Sequence, residues 1–254
     1  MDIATIFGLI LAFGAVLTSF RIEGGDIGAL FIFAPMMIVI GGTLGATIVT
    51  TSFDTVKQVP SYLRLAFSGT TRPVTDAIDT IVHLAEKARR EGILGLEKDV
   101  QEFDDPFFKK ALQLVIDGTE VTSLREILQT EMAYIEERHR RGITFFQKAG
   151  GFSPTLGILG TVLGLVHTLS NTSDASKMAA AIAGAFVATL WGVGLANLFF
   201  LPMSDKLKLR HDEEMAHLEL VTEGLVAIQS GENPRNIRTR LHSFISPKHR
   251  TEEF

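Results

Sequence analysis

The chain contains no cysteine, so disulfides and thiolate metal sites are excluded. It also lacks charge over long stretches: no Asp, Glu, Lys or Arg occurs in residues 3–20, 27–53, 149–173 or 178–204. A bilayer core is ~30 Å thick and needs about 20 apolar residues to cross as a helix. Segments 27–51, 150–170 and 179–202 meet that length, and 3–20 is shorter but adequate. Four membrane-spanning helices are therefore expected. No basic region precedes the first of them and no small-x-small cleavage site follows it, so it reads as a retained anchor. The formal net charge of −5 leaves no electrostatic footprint for nucleic acid.

The charges that are present are unevenly placed. Residues 54–148 hold fourteen of the 24 Lys and Arg residues, and the tail from 205 onward holds eight. The short turns 21–26 and 171–177 hold one each, Arg21 and Lys177. Basic residues collect on the cytoplasmic side of a membrane. Both chain ends and the long middle segment are thus expected inside the cell, in a multi-pass membrane protein.

The remainder reads as helix, without alternating strands, internal repeats or low-complexity linkers. Val121, Leu124, Leu128 and Ile135 recur at helical spacing, and Ser123 with Glu126 matches a capping box. Leu218, Val221, Leu225 and Ile228 repeat in the same way. Asp105-Pro106 and Asn233-Pro234 pair a capping side chain with a proline at the first helical position. Ser153-Pro154 has the same signature, which predicts a helix start there and a break at Gly150-Gly151. Charge-dense patches such as 85–92 and 136–142 suggest that the polar segments extend the membrane helices rather than form a separate domain. The expected order is a membrane hairpin (1–52), a polar helical region (53–148), two further spans (149–204) and C-terminal helices (205–254).

The third and fourth spans carry stripes of small residues. Gly157, Thr161, Gly164 and Thr168 share one helical face, and Ala181, Ala185, Ala188, Gly192 and Ala196 form a second stripe with Thr189 at its edge. Small residues permit close helix approach in lipid, so Gly157, Gly164, Ala185 and Gly192 are packing candidates. Their threonine hydroxyls suit either self-satisfaction within the helix or contact with water or an ion. His167 is the one titratable group within the spans, near an end, where interfacial, structural and proton-transfer roles are all open. No Asp or Glu lies within a span. Ion relay needs a titratable group, so a conducting complex would take its carboxylate from another subunit.

The stretches PTLGILGTVLGLV and AAAIAGAFVATLWGVGLANLFFLP resemble the third and fourth spans of the MotA flagellar-stator family, which belongs with TolQ and ExbB. Residues 88–118 and 221–241 also resemble it, so the likeness covers almost the whole chain, and four spans favour the MotA branch. The resemblance implies an all-α membrane protein forming a homo-pentameric ring around a pair of MotB helices. MotB would supply the aspartate, a proton or sodium ion would be the transported cation, and FliG of the rotor would be the cytoplasmic partner. It further implies coupling roles for Pro154 and Pro202, polar positions beside the aspartate at Thr155 and Thr189, and rotor contact through Arg89 or Arg90 and Glu97. At Thr161 many proton-driven relatives have alanine. Sodium-driven PomA has threonine there, as do the proton-linked TolQ and ExbB, so the ion stays open.

Two other functions compete. A TolQ- or ExbB-like energiser of an envelope protein shares the family pattern. An enzyme or metal site would have to use His139 beside Glu136 and Glu137, or His211 before Asp212, Glu213 and Glu214. Neither cluster has a recognised ligand spacing, and no catalytic or metal residue is assigned.

Overall fold

The computed structural model describes residues 2–68, 74–170 and 175–245. Met1 and residues 69–73, 171–174 and 246–254 lie outside this set, including most of the turn read at 171–177. Every regular element among the described residues is helical. Helix α1 is Ile3–Ile22, capped by the Asp2 carboxylate, which accepts from the Ala4 and Thr5 N–H groups. Helix α2 is Phe33–Val49 and contains a π turn at Met37–Gly41. Helix α3 is Phe53–Phe67, α4 is Val74–Glu91 and α5 is Pro106–Ile116. Helix α6 is Val121–Ser170 and α7 is Ala175–Leu195. A second π turn, Ala196–Phe200, leads into α8, Leu201–Gln229, and α9 is Pro234–Leu241.

Among the described residues three helices are long and apolar enough to cross a membrane: Ile3–Ile22, Val121–Ser170 and Met178–Gln229. The span expected at 27–51 is shorter than its apolar run, because its helix covers only Phe33–Val49. Pro35 explains the late start. In the first turn of α2 its missing N–H costs nothing, whereas a helix from residue 27 would bury it in the interior.

Two further expectations are corrected. Pro154 does not begin a helix, since α6 runs unbroken through Gly150, Gly151 and Pro154. The helix persists although Gly150 loses the amide donor that a non-proline residue 154 would supply. Its flanks are held by contacts to other segments, described below. The start of α6 also differs from the capping box at Ser123 and Glu126. Glu120 caps instead, accepting from the Thr122 and Ser123 N–H groups (3.1 and 3.3 Å). Those bonds favour its charged form and hold its carboxyl below the usual range.

The chain divides into two compact units, each built from two stretches: Met1–Thr70 with His139–Arg210, and Thr71–Arg138 with His211–Phe254. The second unit overturns the expectation that the polar segments lack a domain of their own. Its core includes Ile81, Leu112, Leu124, Leu128, Leu220 and Leu225, all fully buried. Each such side chain contributes about 2 kcal/mol relative to exposure. The aliphatic periods at 121–135 and 218–228 both point into this core. Asp105 and Asn233 cap α5 and α9 as their Pro-linked signatures predict. Polar bonds close the unit. Lys87 Nζ meets Asp99 at 2.8 Å, Arg125 pairs with Glu223, and His217 Nε2 lies 3.1 Å from Asp105 Oδ2.

The first unit contains a cluster of Tyr62, Ala66, Phe145, Phe146, Ala149, Phe200, Met203 and Leu207. Elsewhere it is tied by bonds to backbone. Lys148 Nζ donates to the Thr50 carbonyl (3.0 Å), Ser204 Oγ to that of Ile143 (3.0 Å) and Trp191 Nε1 to that of Leu30 (2.6 Å).

Candidate functional site

The charge-free halves of α6 and α7 meet through their small residues. A Cβ placed on Gly192 would lie 2.8 Å from both Gly157 Cα and the Ser153 carbonyl oxygen. One on Gly157 would lie 3.0 Å from the Ala188 carbonyl oxygen, and one on Gly164 only 2.8 Å from Ala185 Cβ. The obstacles at Gly157 and Gly192 are backbone, so no rotamer change relieves them. Close approach also exposes carbonyls to partners across the interface: Ser153 Oγ donates to the Gly192 carbonyl at 2.9 Å.

Within this interface the Thr161 and Thr189 hydroxyls are hydrogen-bonded to each other. Thr161 Oγ1 also lies 2.9 Å from the Ala185 carbonyl and 3.1 Å from that of Gly157. Each hydroxyl has one proton to give. When Thr161 donates to a carbonyl, Thr189 must supply the hydrogen between the two hydroxyls. Four oxygens therefore converge in a half-buried, charge-free setting. Such a cluster can accept a proton-bearing group or offer lone pairs to a small cation. It has no group that can store a proton at neutral pH.

Thr155 is exposed, and its hydroxyl donates back to the Phe152 carbonyl at 2.7 Å rather than joining the Thr161–Thr189 pair. Pro154 and Pro202 are both half-buried. The turn that Pro154 weakens touches the segment before Pro202, because a Cβ on Gly150 would lie 2.6 Å from Leu201 Cδ2. Pro202 follows the π turn Ala196–Phe200 by two residues. A π turn shifts the backbone register by one residue, and such turns recur at functional sites. His167 lies on an exposed face near the end of α6. Among the described residues no group of three or more His, Asp or Glu side chains is placed to hold a metal ion.

At the start of α1, Asp2 pairs with Lys206 and with Arg210 Nη2 (2.9 Å). The Lys206 hydrogen bond lowers the Asp2 carboxyl from 3.8 to about 2. These partners are far apart in sequence, and sequence reasoning missed them.

In the second unit, Arg89 and Arg90 end α4 and Glu97 follows a 3-10 turn at Ile93–Leu96; all three are exposed. Arg89 and Arg90 line an open cleft of about 400 Å³ whose other wall, on α9, brings Arg235 and Arg238. The three-residue step between those two arginines is the signal that could have located them. Arg238 also reaches Asp79 at 3.4 Å. Four guanidinium groups thus face one opening against the single lining carboxylate of Glu86.

Comparison with known proteins identifies the family. Residues 99–220 match the model of the MotA/TolQ/ExbB proton channel family, and residues 6–92 match that of the Motility protein A N-terminal region. Motility protein A of Borreliella burgdorferi is 34% identical over 252 residues, covering 99% of this chain and 97% of its own. Chemotaxis protein PomA of Vibrio alginolyticus is 34% identical over 253 residues, covering 100% and 99% respectively. A chain of the C. jejuni MotAB structure superposes with a TM-score of 0.93 at 29% identity, with both chains fully covered. One from the Bacillus subtilis flagellar MotAB stator complex gives 0.90 at 33% identity over 96% of each. With likeness to these relatives over its full length, the chain belongs to the MotA/TolQ/ExbB proton channel family.

Proposed function

We propose that this chain is the stator subunit of a bacterial flagellar motor, coupling inward flow of a cation, proton or sodium, to torque on the rotor. The observation that carries the reading is the four-oxygen cluster around Thr161 and Thr189, set in close-packed helices without any carboxylate. Such a wall can guide a cation but cannot relay one, so a MotB-like partner must bring a membrane aspartate. The solved MotAB complexes support that pairing. In this reading α1, α2, α6 and α7 are four membrane spans, and five copies surround two partner helices. Both chain ends and the second unit lie in the cytoplasm, a reading that the basic-residue asymmetry supports.

The arginine cleft and Glu97 are then the surface that meets FliG, with Arg235 and Arg238 joining Arg89 and Arg90. Pro154 and Pro202 mark the two places where the long helices can change shape as the partner's carboxylate gains and loses its ion. The protein acts as an ion-coupled mechanical element and not as an enzyme.

The test is co-expression with the partner in a strain lacking its own stator. Swimming should appear with the intact partner and vanish when the partner's membrane aspartate becomes asparagine. Swimming that survives that change would overturn the proposal. Speed measured against sodium concentration, with and without a proton uncoupler, identifies the ion.

A further inference from the structure

The first unit holds a cleft of about 540 Å³ between α1 and the α7–α8 junction, away from the α6–α7 interface. That volume lies within the ~300–1,000 Å³ of ligand-binding sites. One wall is Gly8, Leu9 and Ala12, and the other is Leu198, Pro202 and Met203. A Cβ on Gly8 would meet nothing within 4 Å, so the space is open to the backbone of α1. Around the same helix Phe7, Ile10 and Leu11 are 65%, 66% and 59% exposed, and α1 has no buried residue. The cleft is therefore continuous with an apolar surface whose surroundings, in a membrane, are acyl chains.

One end of the cleft is charged. Asp205 and Lys206 line it, and Lys206 shares the Asp2 carboxylate with Arg210. Two cations and two carboxylates thus stand where α1 begins. A phosphate there would reach a charge-assisted bond from Lys206, the cation that lines the cleft. A purely anionic headgroup would leave Asp205 facing a like charge, whereas a headgroup carrying phosphate and ammonium together matches both signs.

We propose that this cleft binds one zwitterionic aminophospholipid, its acyl chain against Gly8 and Pro202 and its phosphate and ammonium at Lys206 and Asp205. Because Pro202 forms part of the wall, the lipid would bear directly on the junction that the stator reading assigns to coupling. The inference rests on α1 being a membrane span, as that reading holds.

The complex with its partner subunit, purified from membranes and exchanged into phosphatidylethanolamine, phosphatidylglycerol or phosphatidylcholine, would be examined by native mass spectrometry. Retention of one phosphatidylethanolamine per copy, in preference to phosphatidylglycerol, is expected. Gly8→Leu fills the cleft with a better helix former and should lower retention about tenfold, equivalent to ~1.4 kcal/mol. Asp205→Asn should remove the preference for phosphatidylethanolamine over phosphatidylglycerol. Equal retention by wild type and Gly8→Leu would overturn the site, as would a preference for phosphatidylglycerol. A photo-crosslinker at position 8 that labels a second copy of the chain instead of lipid would also overturn it. Any of these results obtained alongside aspartate-dependent swimming would leave the stator reading standing.

Discussion

The two units solve the packing problem with different residues. The second unit buries leucine, isoleucine and valine in an ordinary core and closes its rim with ion pairs. In the first, α6 and α7 approach through Gly157, Gly164, Ala185 and Gly192, while α1 buries nothing. Water drives the former arrangement. In lipid, where tails are as apolar as leucine, backbone proximity and hydroxyl bonds replace that drive. The small-residue interface therefore tolerates added volume poorly, and the aliphatic core tolerates lost volume poorly.

The sharpest way to break this contrast is Gly192→Leu. Its added atoms meet the Gly157 and Ser153 backbone at 2.8 Å, so folded yield in membranes and swimming should both be lost. Gly8→Ala adds a methyl where nothing lies within 4 Å and should raise thermal stability by up to ~1 kcal/mol through helix propensity. In the second unit the large effect comes from removal: Leu225→Ala should cost ~2–5 kcal/mol. Limited proteolysis within 71–138 during heating would register it.

Thr161→Ala should cost only about 1 kcal/mol of stability yet change how swimming speed depends on the ion. Thr161→Ser should keep wild-type dependence. If alanine and serine behave alike, the hydroxyl cluster has no part in the ion pathway.

The smallest effect is a pH response in the second unit. The His217 hydrogen bond, then the Phe108 and Phe107 N–H groups, hold the Asp105 carboxyl below its ordinary 3.8. A depressed carboxylate stabilises the fold above that ordinary value and loses its contribution as pH falls through the folded one. Acid unfolding of this unit should therefore begin below about pH 4. In Asp105→Ala, with the cap lost at a cost of ~1 kcal/mol, that slope should flatten.

Features written locally were legible in the sequence. The periods through Leu124 and Leu128 and through Leu218 to Ile228 mark the buried faces, and Asp105-Pro106 and Asn233-Pro234 mark helix starts. Ser153-Pro154 failed as a marker although its dipeptide chemistry is the same. The difference lies outside the dipeptide, in the Gly192 carbonyl that holds Ser153 and the Leu201 side chain that covers Gly150. Likewise, nothing local joins Asp2 to Lys206 and Arg210, or Arg89 to Arg235; only tertiary folding does. The Thr161–Thr189 pair is an intermediate case. Periodicity put each residue on or near a small-residue face, but the register between the helices was needed to join them.

The short reach of α2 has a mechanical consequence. From Phe33 to Val49 a helix rises ~25 Å, several ångströms less than an average hydrocarbon core of ~30 Å. If α2 spans the bilayer, the apolar turn Ile27–Leu30 before it or a local thinning has to make up the difference, at a cost that grows with each ångström of mismatch. Lipids with longer tails would raise that cost, and a leaflet stretched thin would lower it. Reconstitution across a series of tail lengths should therefore give assembly that falls steadily with thickness.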